Sequence, residues 1–339
     1  MLKNRPIFIF LIVSSVVFCL SIIFLYYKDS NRPLPDRAQH VVGASHIDDF
    51  TFEPITPLRA LALKDSAKLM LGRMLFYDST ISSNDMACIS CHALDKAGAH
   101  PAEQAGHVFP GKFNSPSIYN TKYYARLFWD GRIYNPEDQI RINLKNGMGI
   151  TPEEVAEKLA DDSNYSGKFD EIFTDGVTSK NIIDALLEFQ FSLISISRFD
   201  KYLSGENSAI TEQEKEGYKL FKELGCSSCH QGITIGGNTF QKFGIIKDYF
   251  EELDSVKQID YGLFNTSQDE KDKFVFRVPS LRNVAITAPY LHDGSIKTLE
   301  EMVEIMAEYQ LGINLSNEEV DKIISFLNTL TGDQFLLDY

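Results

Sequence analysis

The sequence predicts a mainly α-helical chain of two fused modules with long loops, set behind an apolar amino-terminal helix. Three observations predict it. A signature, Cys-x-x-Cys-His, occurs twice, as Cys88-Ile89-Ser90-Cys91-His92 and Cys226-Ser227-Ser228-Cys229-His230. Each copy follows a matching Gly-x-x-Leu-Phe ending, Gly72-Arg73-Met74-Leu75-Phe76 and Gly217-Tyr218-Lys219-Leu220-Phe221. Helix-start signals recur elsewhere along the chain.

In chain order, residues 6–27 carry no charge and follow Lys3 and Arg5. That length spans a bilayer, whereas a cleaved signal has a shorter apolar core and a small-residue cleavage site. The leading positive charges keep residues 1–5 cytoplasmic and put everything after Lys28 outside a bacterial inner membrane, in the periplasm. Cys19 within the span reads as a packing residue. Residues 28–48, with Pro33 and Pro35, read as a linker. A first module is expected over 49–200 and a second over 201–339. In the first, Thr151-Pro152-Glu153-Glu154 supplies an N-cap, a first-turn proline and a capping-box glutamate ahead of Val155 and Leu159. A helix over 181–196 leads to the boundary, near 200–208. In the second, Ser316-Asn317-Glu318-Glu319 starts a helix carrying Val320, Ile323, Ile324, Leu327 and Leu330.

The chain has 339 residues, 44% of them hydrophobic and 24% charged, which suits one or two globular domains with real cores. Four of its five cysteines lie in the signatures, so no disulfide framework is implied. A net charge of −14 disfavours nucleic acid and anionic lipid and favours a basic or dipolar protein partner.

The signature has a chemical reason. Two thiols three positions apart form thioethers to the vinyl groups of one haem, and the next residue offers its imidazole to the iron. Cys88, Cys91 and His92 would hold one haem c, and Cys226, Cys229 and His230 another. A redox dithiol would need a βαβ context that is absent, and a zinc half-site would want a second converging cluster.

With two haem sites fixed, the flanking text becomes recognisable. Leu71-Gly72-Arg73-Met74-Leu75-Phe76-Tyr77-Asp78, Asn114-Ser115-Pro116, Phe128-Trp129-Asp130-Gly131-Arg132, Arg277-Val278-Pro279-Ser280-Leu281-Arg282-Asn283 and Thr287-Ala288-Pro289-Tyr290 resemble the bacterial di-haem cytochrome c peroxidase family, whose superfamily includes MauG. The similarity runs from about residue 55 to residue 332. It implies two cytochrome c-like domains, the first peroxidatic and the second for electron transfer.

The resemblance also implies roles. His92 would be the proximal ligand of the peroxidatic haem and His107 its departing distal ligand, with His100 the competing local candidate. His230 and Met306 would ligate the second haem, with His292 among the residues binding it. By residue type alone Met306 is one position of an apolar stripe with Leu299, Met302 and Val303. Trp129 would relay electrons between the haems, and Gln139 would serve peroxide chemistry. A calcium ion would sit between the Asn114 side chain and the carbonyls of Thr287 and Pro289. Two positions depart from the pattern. Gly147 stands where the family has the glutamate that moves protons, in a segment about two residues shorter, and Phe113 stands where an arginine precedes the asparagine. Glu137, Asp138 and Glu153 are candidate replacements for that acid.

The expected function is reduction of hydrogen peroxide to water with electrons from a small cytochrome c or cupredoxin; a homodimer is left open. The alternatives are a MauG-like oxidase acting on a protein or organic substrate, against which Met306 argues, and a non-enzymatic di-haem electron carrier, which the missing glutamate favours.

Overall fold

A computed structural model describes residues 53–60, 65–99 and 113–332. The expected cytoplasmic terminus, anchor and linker lie outside them, as do His100 and His107. Among the described residues no helix is long and apolar enough to cross a membrane.

The first half contains α1 Ser66–Tyr77, α2 Pro136–Gly147, α3 Pro152–Ala160, α4 Ser163–Ile172 and α5 Ser179–Ser192. Side-chain caps start them: Asp65 accepts from Lys68 N, and Thr151 and Glu154 form the expected capping box. The second half contains α6 Arg198–Leu203, α7 Glu212–Glu223, α8 Phe264–Ser267, α9 Leu299–Ile305 and α10 Asn317–Asn328. A two-stranded antiparallel sheet, β1 Phe240–Lys242 and β2 Val275–Arg277, pairs Phe240 with Arg277.

Both halves are built around one helix crossing, which explains the Gly-x-x-Leu-Phe repeat. A Cβ on Gly72 would lie 1.9 Å from the Ala185 carbonyl oxygen, and one on Gly217 would lie 2.0 Å from that of Lys322. Only glycine lets α1 meet α5, and α7 meet α10, this closely. The phenylalanine of each repeat then packs on its partner helix. Phe76 meets Phe189 and Phe221 meets Phe326, each at 5.1 Å between ring centroids.

Two apolar cores follow from this. Leu69, Leu75, Leu144, Val155, Phe169 and Ile182 belong to the first, and Phe199, Tyr218, Phe221, Ile323 and Phe326 to the second. The described residues belong to one compact unit. A buried ion pair lies where several of its segments meet. Asp200 accepts from Arg282 Nη1 at 2.8 Å and Nη2 at 2.9 Å, and also from the Leu58 and Ser197 amides.

One boundary differs from expectation. The helix expected over 181–196 ends at Ser192. The Ser195 amide donates to Asn120 Oδ1 at 3.0 Å and its hydroxyl to Asn283 Oδ1 at 2.9 Å, so these side chains take the chain out of the helix.

Candidate functional site

Each signature forms a short 3-10 turn, Cys88–Ser90 and Cys226–Ser228. No disulfide joins the four signature cysteines. Burial pushes Cys88 up to about 12 and Cys226 up to about 11, so they are protonated and poor nucleophiles, unlike an activated redox pair. His92 Nδ1 lies 2.9 Å from the Gly98 carbonyl oxygen. A proton on Nδ1 makes that bond and leaves the Nε2 lone pair for a metal.

His230 is buried, and burial holds its imidazole down to about 4, so it stays neutral at physiological pH. The Ile235 and Pro279 backbone lies close enough to the ring to favour its protonated form, which burial outweighs. A Cβ on Gly236 would fall 3.3 Å from the ring Nδ1 and 2.3 Å from the Pro279 carbonyl oxygen, so glycine keeps the space beside the ring open. A buried neutral imidazole beside two cysteines not joined by a disulfide, within a large apolar cavity, fits a covalently attached haem.

That cavity, about 510 Å³, is lined by Cys226, Cys229 and His230 together with Met302, Met306, Trp129 and His292. Its volume suits a cofactor. Both methionines of the stripe line it. At Met306 the α-helix gives way to a π-helical stretch, Met306–Leu311, a register change frequent at functional sites. His292 contributes to the wall, but its Nε2 lies 2.7 Å from Asp260 Oδ1 and its ring stacks on Phe276 at 4.6 Å. Burial alone would raise the Asp260 carboxyl; the His292 bond and the Lys257 amide outweigh it and hold it below its ordinary value. Phe113 packs edge-on against the His292 ring.

The second cavity, about 150 Å³, holds Cys88, Cys91 and His92 with Gln139, Asn143, Gly147, Met148 and Gln190. Gln190 Nε2 donates to Gln139 Oε1 at 3.2 Å and to Thr121 Oγ1 at 3.1 Å. That bond fixes the Gln139 amide with its oxygen occupied. Gln190 was not singled out from the sequence; its signal is a glutamine within the apolar run Phe189-Gln190-Phe191. None of the three candidate acids lines this cavity. Glu137 and Asp138 are exposed, and Glu153 is exposed and paired with Arg141 at 3.1 Å. Among the described lining residues there is no carboxylate.

Asn114 links the two halves. Its amide N–H donates to the His292 carbonyl and its carbonyl accepts from Trp129 Nε1, both at 2.7 Å. Its Nδ2 donates to the carbonyls of Pro289, at 2.7 Å, and Leu291, at 3.2 Å, while Oδ1 is buried without a partner. Turning the amide over would set Oδ1 beside the Pro289 carbonyl, a pair of neutral oxygens suited to a hard cation.

A second repeat accounts for Trp129 and His292. Leu127-Phe128-Trp129-Asp130-Gly131 and Tyr290-Leu291-His292-Asp293-Gly294 are equivalent turns: Phe128 and Leu291 both have φ 66°, and Leu127 bridges Ile133 as Tyr290 bridges Ile296. Trp129 and His292 hold the same position in the two modules.

The chain is similar to known proteins. Residues 66–208 match the family model described as di-haem cytochrome c peroxidase, and residues 214–331 match that of cytochrome c. The cytochrome c551 peroxidase of Nitrosomonas europaea is 38% identical over 83% of this chain and 85% of its own length. Cytochrome c peroxidase Ccp of Escherichia coli (strain K12) is 35% identical over 87% of this chain, which spans 65% of the Ccp length. A crystal structure of a MauG-like protein associated with microbial copper homeostasis superposes with a TM-score of 0.68 at 26% identity, covering 86% of this chain and 96% of that one. With two Cys-x-x-Cys-His turns, each opening on a cavity, and relatives of this kind aligned along most of its length, the chain belongs to the di-haem cytochrome c peroxidase family.

Proposed function

We propose that the chain is a periplasm-facing peroxidase, anchored by residues 6–27, that reduces hydrogen peroxide to water with two electrons and two protons. The observation that carries it is the amide array of the smaller cavity: Gln139, oriented by Gln190, stands with Asn143 in the same cavity as His92. The haem held there would supply an iron at which the O–O bond of peroxide breaks. With its oxygen occupied, the Gln139 side chain has its N–H groups left to donate to a peroxide oxygen. His107 would leave the distal side to admit peroxide. His230 and Met306 would hold the second haem at a high potential, as a His/Met pair does. Trp129, hydrogen-bonded to Asn114 between the halves, would pass electrons from a small cytochrome or cupredoxin, and a calcium ion at Asn114 and the Thr287 and Pro289 carbonyls would rigidify that link; the unpartnered Asn114 Oδ1 supports the latter.

The test is peroxide-dependent oxidation of a reduced small cytochrome by protein carrying both haems. Gln139→Ala should lower kcat/KM about tenfold or more with haem content unchanged. No peroxide consumption by the fully loaded, reduced protein would refute the reading. The absence of a carboxylate among the described residues of the small cavity favours the second reading, a di-haem electron carrier, and that outcome would select it.

A further inference from the structure

The large cavity contains a buried cation that nothing described so far uses. Arg277, the last residue of β2, is 4% exposed. Its Nε donates to the Phe128 carbonyl at 3.0 Å, its amide N–H donates to the Trp129 carbonyl at 2.9 Å, and its guanidinium lies over the Tyr124 ring at 4.9 Å. Nη1 is buried and has no partner. Asp130, whose field reaches Arg277, is already paired with Arg132.

The rest of the lining sharpens the point. Arg282, the other arginine of the wall, is neutralised by Asp200, and no aspartate or glutamate lines the cavity among the described residues. A buried, unpaired guanidinium is strongly disfavoured unless an anion meets it. The planar fork of arginine suits a carboxylate, offering two parallel N–H donors. A haem carries two such carboxylates, its propionates.

We infer that Arg277 binds a propionate of the haem attached at Cys226 and Cys229, and so ties that haem to the Phe128–Trp129 turn. This rests on the reading that a haem fills the cavity. The arginine then does two things. It neutralises a propionate that would otherwise favour the ferric iron, and its backbone and Nε bonds fix the turn carrying Trp129 against the same cofactor.

The experiment is spectroelectrochemistry of the full-length di-haem protein, with intact mass measured on the same samples. Arg277→Gln should keep the mass of two haems but raise the ferric-to-ferrous ratio of the high-potential haem about tenfold at a fixed electrode potential, a downward shift of about 59 mV. Arg277→Lys should recover most of it. An unchanged potential in a two-haem Arg277→Gln protein overturns the inference, as does a wild-type potential that rises when chloride is replaced by a non-binding anion, because the partner is then an inorganic ion. A wild-type mass lacking the second haem overturns the haem reading instead. Should the glutamine variant fail to accumulate, infrared difference spectra of wild type with isotope-labelled propionates decide. A labelled band of an ionised carboxylate at pH 6 supports the pairing, and a labelled protonated carbonyl overturns it.

Discussion

Gly147 offers a gain-of-function experiment. It is the last residue of α2 and lines the cavity that holds His92 and Gln139, and a Cβ placed on it meets no atom within 4 Å. Gly147→Glu is therefore sterically open. Leaving glycine in a helix gains up to about 1 kcal/mol. A carboxylate at the carboxyl end of a helix loses about 0.3–1 kcal/mol to the helix dipole, so stability should change little. The same dipole raises the carboxyl pKa, toward the working pH of a general acid. A well-placed acid/base group is worth about 10²–10⁴ in rate. The segment is short, so we expect about tenfold, read as the rate of the first peroxide-driven spectral change in stopped flow on protein with only the second haem reduced. Gly147→Gln, equal in size but without a titrating proton, should give none of the gain. Equal acceleration by Glu and Gln would refute the proton-transfer argument. So would a wild type already near the diffusional ceiling of about 10⁸ M⁻¹s⁻¹, because another group would then be moving the proton.

Other substitutions test the framework around the site. Met306→His should lower the higher reduction potential and remove the thioether charge-transfer band of the oxidised spectrum, whereas Met302→His should leave both; the opposite pattern would move the axial ligand one turn back along α9. Gly72→Ala or Gly217→Ala should destabilise the protein by about 1–3 kcal/mol in urea unfolding, since the added methyl meets a backbone carbonyl at the helix crossing. Asp200→Asn should cost about 3–5 kcal/mol by leaving Arg282 buried beside a neutral amide. A loss below 1 kcal/mol would mean that solvent reaches the pair.

Much of this was legible locally. Cys-x-x-Cys-His, the Thr151 and Ser316 capping boxes and the Gly-x-x-Leu-Phe repeat each depend on residues within a few positions of one another, and the flanking motifs carried family membership. Interactions that join distant segments left weaker traces. The end of α5 is set by Asn120 and Asn283, which lie 75 and 88 residues from Ser195, so apolar periodicity alone carried that helix too far. The orientation of Gln139 depends on Gln190, 51 residues away, and the pairing of His292 with Asp260 spans 32. The π-helical stretch after Met306 leaves no mark in a periodicity of 3.6. The second repeat was readable, but only when Trp129 is set against His292, two residues with no chemical likeness.

The most direct test of the proposed peroxidase is a single-turnover titration. Protein bearing both haems is poised with only the high-potential haem reduced, then mixed with one equivalent of hydrogen peroxide. The peroxidase reading predicts that the high-potential haem is oxidised while the peroxide disappears, and that two equivalents of reduced cytochrome then return the protein to its starting spectrum. Peroxide that persists, with the reduced haem unchanged, would contradict it.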